Sequence, residues 1–484
     1  VKRDLAALTA IEHDVVVVGG GIHGAAQAWD AAQRGLRTAL VEARDFGSGT
    51  SWNSLKTIHG GLRYLQHLDL RRMRESIRER SALLRIAPDL VKPLSFVVPV
   101  HGHGRLGREA FAVALLVNEL LGAGRNEGLR PDRRIPPARL LSRRELREAF
   151  PGLSDRGLAG GALWTDAQVE SSERLLLAFL HEASAAGAVV ANRVEVTSFL
   201  RRAGRVVGVR ARDHQGGQDV DVRSRIVLNT AGPDMSRLLG LVGLGRSTSL
   251  LRAVNFVLRR PVVTRRALGS RLGDRYWFLV PWRDRSIVGT AYAPLEGFDP
   301  DEEARFLEEA AAAYPWARLL DDDVTLVHRG RVPGAGGARG LETRDLVLDH
   351  ERLDGLGGVV SVQGVKYTTA RGVAERAVDI VCRRLGREAS SRTATTPLSW
   401  ARPLPGSLQE QARFAAREEM AWSLEDVVLR RLEVGTLGRP SPEVMGVIEG
   451  ALAAELGWGE ERVRREREAV REAYDALSIG GQKL

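Results

Sequence analysis

A single cysteine, Cys382, stands in 484 residues. One thiol closes no disulfide within the chain and builds no cysteine-ligated metal centre, so a reducing, cytoplasmic setting and no metal site are expected. At helical spacing among apolar and basic neighbours, this cysteine reads as structural. Long hydrophobic runs are lacking too: none reaches the roughly 18–20 apolar residues that span a bilayer. The nearest, residues 110–124 (AFAVALLVNELLGAG), is interrupted by Asn118 and Glu119. It reads as a buried or amphipathic helix, with contact to a membrane surface left open. No basic leader with a small-residue cleavage site precedes the first apolar stretch, so no secretory signal is expected. No nucleic-acid-binding module is recognisable. Acidic residues are the scarcer charge, 61 against 71 basic ones, for a formal charge of +10. A basic surface attracts phosphates and anionic lipid. The arginines are spread along the whole chain, however, and a generally arginine-rich composition explains the excess equally well.

What is present is ordinary for a globular protein, 44% hydrophobic and 27% charged, and the length suggests two or three domains. Residues 14–18 (DVVVV) read as a buried parallel strand. Residues 19–24 (GGGIHG) follow at once and match G-x-G-x-x-G. An alanine-rich helical pattern runs over 25–34 and stops at Gly35; residues 38–41 (TALV) then read as a second strand, closed by Glu42. The spacing has a chemical reason. Gly19 permits the tight turn, Gly21 lets backbone N–H groups approach a pyrophosphate, and Gly24 lets the helix pack on the strand. Ile22 and His23 open the helix, whose N-terminus offers free donors and partial positive charge to a diphosphate. Glu42 can accept hydrogen bonds from ribose hydroxyls. A lone glycine motif says little; strand, helix, second strand and acid together specify a dinucleotide site.

FAD suits the remainder better than NAD. Residues 45–51 (DFGSGTS) follow without the third strand of a simple NAD domain. Residues 226–233 (IVLNTAGP) and 358–364 (GVVSVQG) read as strands ending in small-residue turns, the second leading into a helical pattern over 370–384. A nucleotide fold completed by such distant segments is interrupted by inserted substrate-binding parts, and the longer cofactor needs that arrangement more.

Residues 50–65 (TSWNSLKTIHGGLRYL) align without a gap with TSSASSKLIHGGLRYL, and in this stretch the chain resembles the FAD-dependent glycerol-3-phosphate dehydrogenases of the D-amino-acid oxidase-like superfamily. Further similar segments are 164–166 (WTD), 229–233 (NTAGP), 278–282 (FLVPW), 289–290 (GT), 329–331 (RGR), 343–345 (TRD), 364–369 (GVKYTT) and 418–431. The likeness covers most of the chain and is weakest around 100–150 and 385–415. It implies an α/β class with a discontinuous FAD-binding Rossmann-like domain (10–90, 165–240 and 338–388). An inserted α+β substrate domain with an antiparallel sheet (91–164 and 241–337) and a C-terminal helical domain (400–484) complete it. The implied reaction is hydride transfer from C2 of glycerol 3-phosphate to flavin N5, with electrons passed to a quinone or other acceptor by a protein peripheral to the inner membrane. Self-association as a homodimer is left open.

The resemblance also assigns residues. Arg63 contacts the substrate phosphate, a fit with guanidinium geometry, and Tyr64 lines the same pocket or packs beneath it. Arg331 lies near the substrate hydroxyl or phosphate, and Arg329, two residues earlier on one strand, shares its face. Arg344 contacts substrate or pairs with Asp345 or Asp349. Arg331, Lys366 and His59 are the candidate catalytic side chains. Lys366 polarises the reacting centre, and His59 sits beside the isoalloxazine as a base or a packing group. Thr50, Ser51 and Ser54 offer hydroxyls to the cofactor or cap helices, and Thr368 and Thr369 start the final helix with donors to the flavin. Gly60, Val194, Ala231, Gly232, Gly364 and Tyr367 complete the expected cofactor contacts. Asn255 stands in the substrate pocket where a family histidine is expected. Tyr292, Gln363, Val365 and Trp52 are further departures, and they bear on the substrate more than on the cofactor. Three readings follow: oxidation of glycerol 3-phosphate; oxidation of another polyol phosphate, hydroxy acid or amine; and a non-catalytic flavoprotein.

Overall fold

The β-branched run at the N-terminus forms the strand His13–Val18, buried at every residue. Complete burial follows from its place at the centre of a parallel array, where both faces are covered. It pairs in parallel with Thr38–Val41 on one side and with Asp219–Asn229 on the other. The sheet extends to Val189–Ala191 at one end and to Val359–Gln363 and Leu346–Asp349 at the other. Strands Val194–Arg202 and Arg205–Asp213 join it as an antiparallel extension through Asp219–Asn229. The computed structural model describes every residue except 105–106, 274, 298, 300, 336–339 and 482–484, and, within these, all side chains but that of Gln66.

Helices Ile22–Gln33, Ser172–Ala185 and Ala370–Leu385 bury their apolar faces in one core with this sheet. Trp29 and Phe179 meet there with ring centroids 5.3 Å apart. A second sheet runs Val324–Pro333, Leu250–Leu258, Arg285–Pro294, Arg275–Trp282, Arg266–Leu272, Val91–His101, Leu158–Val169 and Thr57–Ile58, with Arg139–Leu141 beside Leu158–Val169. Its pairs are antiparallel, as expected, apart from Arg266–Leu272 with Val91–His101, which is parallel. Helix Asp301–Ala313 covers one side of it.

The C-terminal part is helical as expected: Leu408–Glu418, Leu424–Arg430, Pro442–Leu456 and Glu460–Ala476. Buried charge ties it to the first sheet. Asp45, in the loop after the second strand, accepts from Arg430 Nε at 2.7 Å, from Arg431 Nη2 at 2.7 Å and from Asn192 Nδ2 at 3.1 Å. Glu419 accepts from Arg174 at 2.6 Å. Removing one member of a buried ionic cluster leaves the others desolvated and unpaired, which costs more than the intact cluster contributes. Asp45→Ala is therefore expected to destabilise the protein by about 3–5 kcal/mol, read as a lowered denaturation midpoint. An unchanged midpoint would refute this role.

Candidate active site

The glycine turn lies at the C-terminal ends of the parallel strands, the usual ligand crevice of such sheets. Gly19 adopts φ +108°, and a Cβ there would meet Thr230 O at 2.7 Å and Ala231 Cα at 2.9 Å. Gly21 is the N-cap of helix Ile22–Gln33 and has no side chain to cap it. Ser51 substitutes: its Oγ accepts the Ile22 N–H at 3.0 Å. Gly24 lies beneath the turn, where a Cβ would overlap the Gly19 carbonyl oxygen. Glu42 accepts from Gly20 N at 2.6 Å and from Arg44 N at 2.8 Å, while burial raises its pKa. Two of its roughly four acceptor sites remain for a ligand.

One cleft runs over this turn. Glu42 and Arg44, just past the second strand, line it with Val194 and Val196; Gly19, Gly21, Ile22 and His23 form its floor, with Ala231, Gly232 and Gly364 nearby. Thr50, Ser51 and Ser54 flank it, and Asn255, Thr290, Tyr292 and Arg331 come from the second sheet, facing Lys366 and Tyr367. An elongated groove with a helix N-terminus at a glycine turn and an acid beyond it fits a dinucleotide. Gly24, His59, Gly60, Arg63, Tyr64, Arg344, Thr368 and Thr369 do not line this cleft.

His59, Tyr64, Thr368 and Thr369 help hold the turn that carries Lys366. Asp345 accepts from Val365 N and from Thr369 Oγ1, both at 2.7 Å. Thr368 Oγ1 accepts the His59 N–H at 3.2 Å. Tyr367 donates its hydroxyl to Ser172 O at 2.6 Å. His23 packs under Gly364 so closely that a Cβ there would overlap its ring. The ammonium of Lys366 then sits 4.3 Å from the Tyr64 ring centroid, a cation–π contact. Gly60 donates to Asp166 Oδ1 at 2.6 Å, above the buried Arg80–Asp166 pair.

Arg63 is exposed, and its charge acts on Tyr292 and His59. Arg331 is half-buried, with Asp234 3.8 Å away. Arg331 and Lys366 therefore both line the cleft, while Arg63 stays outside its lining and bears on it through its charge near Tyr292. Arg329 does not join them, contrary to expectation. Glu303 takes its fork in two hydrogen bonds of 2.6 Å, and the carbonyls of Ala476 and Ser478 take the rest. Arg344 is exposed in its turn, where its charge acts on Asp69, outside the cleft. Asn255 Oδ1 accepts the Thr290 hydroxyl at 2.7 Å, and an amide cannot take up a proton at neutral pH.

Burial holds His59 at a pKa of about 4, helped by Lys366, so its imidazole is neutral at pH 7. Burial alone brings Lys366 down to about 8. The folded value lies below the unfolded one of about 10.4. The stability this lysine contributes is therefore full above pH ~10.4 and lost as pH falls through 8. Lys366→Met should raise the thermal midpoint at pH 7, with the gain vanishing above pH ~10.4. The same cation should hold anions best below pH 8, so anion affinity should fall above it in the wild type and not in the variant. Equal midpoints and parallel pH profiles would contradict both statements.

Sequence reasoning missed several supports. Lys56 is buried and donates to Glu173 at 2.7 Å, to Ser172 Oγ at 2.8 Å and to Trp52 O at 2.8 Å. Asn53, whose Oδ1 accepts the Arg329 N–H at 3.1 Å, also went unassigned. The gapless match over residues 50–65 contains Lys56 and Asn53 and was the one local sign of them.

Residues 14–380 match the family described as FAD dependent oxidoreductase. A glycerol-3-phosphate dehydrogenase of Synechocystis is 32% identical over 422 residues, which is 82% of this chain and 75% of that protein. A glycerol-3-phosphate dehydrogenase of Mycobacterium leprae is 30% identical, across 94% of this chain and 87% of its own. The solved glycerol-3-phosphate dehydrogenase of Bacillus halodurans, complexed with FAD, aligns with a TM-score of 0.75 at 21% identity, over 99% of this chain and 98% of that one. At that identity the likeness speaks to the fold. Sequence relatives, family match and cleft agree: the chain is an FAD-dependent oxidoreductase and belongs to the glycerol-3-phosphate dehydrogenase family.

Proposed function

We propose that the protein oxidises sn-glycerol 3-phosphate at C2 to dihydroxyacetone phosphate. The observation that supports this reading is the pair of cations Arg331 and Lys366 in the cleft lining, with the charge of Arg63 acting on Tyr292 in the same lining. Three cations around a partly desolvated site suit a small dianion bearing an alcohol. FAD, when bound along the glycine turn, supplies a two-electron acceptor. Arg63 and Arg331 bind the phosphate and fix the C2 carbon, while Tyr64 holds Lys366 in place. Two groups can take the C2 hydroxyl proton: the neutral imidazole of His59 and the unprotonated fraction of Lys366. Chemical analysis after anaerobic incubation with excess substrate tests the reading. It expects one dihydroxyacetone phosphate per bound FAD, and no product would refute it.

Electrons then pass to a quinone or a similar acceptor at a membrane surface. No helix among the described residues is long and apolar enough to cross a membrane. Helix Arg108–Leu121 does expose Val113 (62%), Leu116 (60%) and Leu120 (67%), spaced to share one face. It packs on the turn Leu62–His67, which carries Arg63 and Tyr64, and Leu68 beyond is 81% exposed. An apolar stripe of this kind, with Glu109 at its N-terminal end, suits shallow insertion between headgroups. Co-sedimentation with anionic vesicles supports this placement, and protein remaining wholly in the supernatant opposes it.

A further inference from the structure

Among the described residues, strand Val324–Pro333 is an edge strand, whose one strand partner is Leu250–Leu258. An edge leaves alternate backbone N–H and C=O groups without a neighbour. Here side chains supply one. The Thr50 hydroxyl accepts the Arg331 N–H at 3.0 Å and donates to the Arg331 carbonyl at 2.8 Å. Asn53 Oδ1 accepts the Arg329 N–H at 3.1 Å. The approach is close because Gly330 has no side chain; a Cβ there would meet Thr50 Cγ2 at 2.9 Å. One small hydroxyl thus takes the place of a strand partner, at the residue that points its guanidinium into the cleft.

The next residue in the chain is Ser51, whose hydroxyl holds the first N–H of the helix at the glycine turn, at 3.0 Å. The loop is fastened elsewhere too: Gly47 N donates to Gly20 O at 3.1 Å, and Asp45 sits in its arginine clamp. Consecutive hydroxyls therefore fix two different parts of the site. Ser51 belongs to the diphosphate end and Thr50 to the substrate end.

We propose that Thr50 is a positioning residue for Arg331, fixing the backbone from which this guanidinium reaches the substrate anion, and so ties the substrate site to the cofactor loop. Thr50 donates nothing to the reaction itself. Its effect passes through Arg331, and replacing it loosens anion binding while the flavin stays in place. The identity of the anion rests on the function proposed above; the positioning role does not.

A double-mutant cycle on the FAD-loaded protein tests it, with the dissociation constant for inorganic phosphate read from perturbation of the flavin absorbance and the half-saturation by glycerol 3-phosphate read from anaerobic flavin reduction. Thr50→Val keeps the shape and removes the hydroxyl. It should weaken both anions about tenfold, the range of two lost hydrogen bonds, with the FAD content of the wild type. Thr50→Ser should return to within about threefold of wild type. In an Arg331→Ala background, Thr50→Val should add no further loss, because the interaction it supports is gone. Thr50→Ala, which leaves space instead of a methyl group, should repeat the Thr50→Val result. The proposal is overturned if Thr50→Val binds phosphate as tightly as wild type, if the loss persists without Arg331, or if serine fails to rescue. Should glycerol 3-phosphate leave the wild-type flavin oxidised, the functional reading falls while the phosphate cycle still decides the role of Thr50.

Discussion

Replacing Gly24 by alanine should leave the protein largely without FAD. The added methyl would overlap the Gly19 carbonyl oxygen and come within 2.8 Å of Thr230 Oγ1. Neither neighbour can withdraw freely. Gly19 already sits at φ +108° against the Thr230 backbone, and the Thr230 hydroxyl is bonded to Val18 O at 2.9 Å and to Gly19 O at 3.1 Å. The turn must open or the helix must lift, and either change misaligns the N–H groups meant for a diphosphate. Overpacking against backbone costs about 3 kcal/mol or more, roughly a hundredfold in FAD affinity. Gly21, the glycine nearer the expected pyrophosphate, faces only Ser51 Oγ at 3.2 Å. Before any ligand enters, it is the more tolerant of the two. Flavin absorbance per mole of protein after gel filtration measures the effect. A yellow, stoichiometrically loaded Gly24→Ala protein would contradict this account of the turn.

Arg331→Ala should lower kcat/KM for glycerol 3-phosphate by about a hundredfold to a thousandfold, with FAD retained. The guanidinium is half-buried at the cleft, and its recorded ion pair, with Asp234, is long at 3.8 Å. Little of its charge is committed to holding the fold, so most of it is available to an anion. Charge-assisted hydrogen bonds in a partly desolvated site are the strong ones, and lysine reproduces neither the fork nor its reach. Arg331→Lys should therefore recover only a small part of the loss. Arg329 supplies the control. Its bonds to Glu303 and two C-terminal carbonyls predict a stability defect rather than a binding defect. Steady-state kinetics on loaded protein, with FAD content measured in parallel, tests the contrast. Wild-type kcat/KM in Arg331→Ala would refute the substrate role.

The nucleotide half of the site was legible because it is local. The strand His13–Val18, the turn, the helix Ile22–Gln33 and Glu42 lie within thirty residues, and each carries its own periodic or compositional mark. Helix Ala370–Leu385 was legible for the same reason. What escaped depends on pairings across the chain. The hydroxyl of Thr50 was read as a cofactor contact, yet its partner is the backbone of Arg331, 281 residues away. Alternation along a strand put Arg329 beside Arg331, but it cannot show that Glu303 waits for one and not for the other. Glu42 was read as a ribose acceptor, and nothing in its spacing shows that Gly20 and Arg44 already use half of its capacity. Asp345 was read only as a partner for Arg344; it holds Val365 and Thr369 instead, and so sets the turn beneath Lys366.

The flavin absorbance of purified, FAD-loaded protein after anaerobic mixing with glycerol 3-phosphate tests the central claim most directly. The oxidised flavin bands should disappear with a saturable dependence on substrate, while glycerol without its phosphate should leave them nearly intact. Oxidised bands that persist at saturating glycerol 3-phosphate, or that glycerol removes equally well, would contradict a cationic site built around Arg63, Arg331 and Lys366.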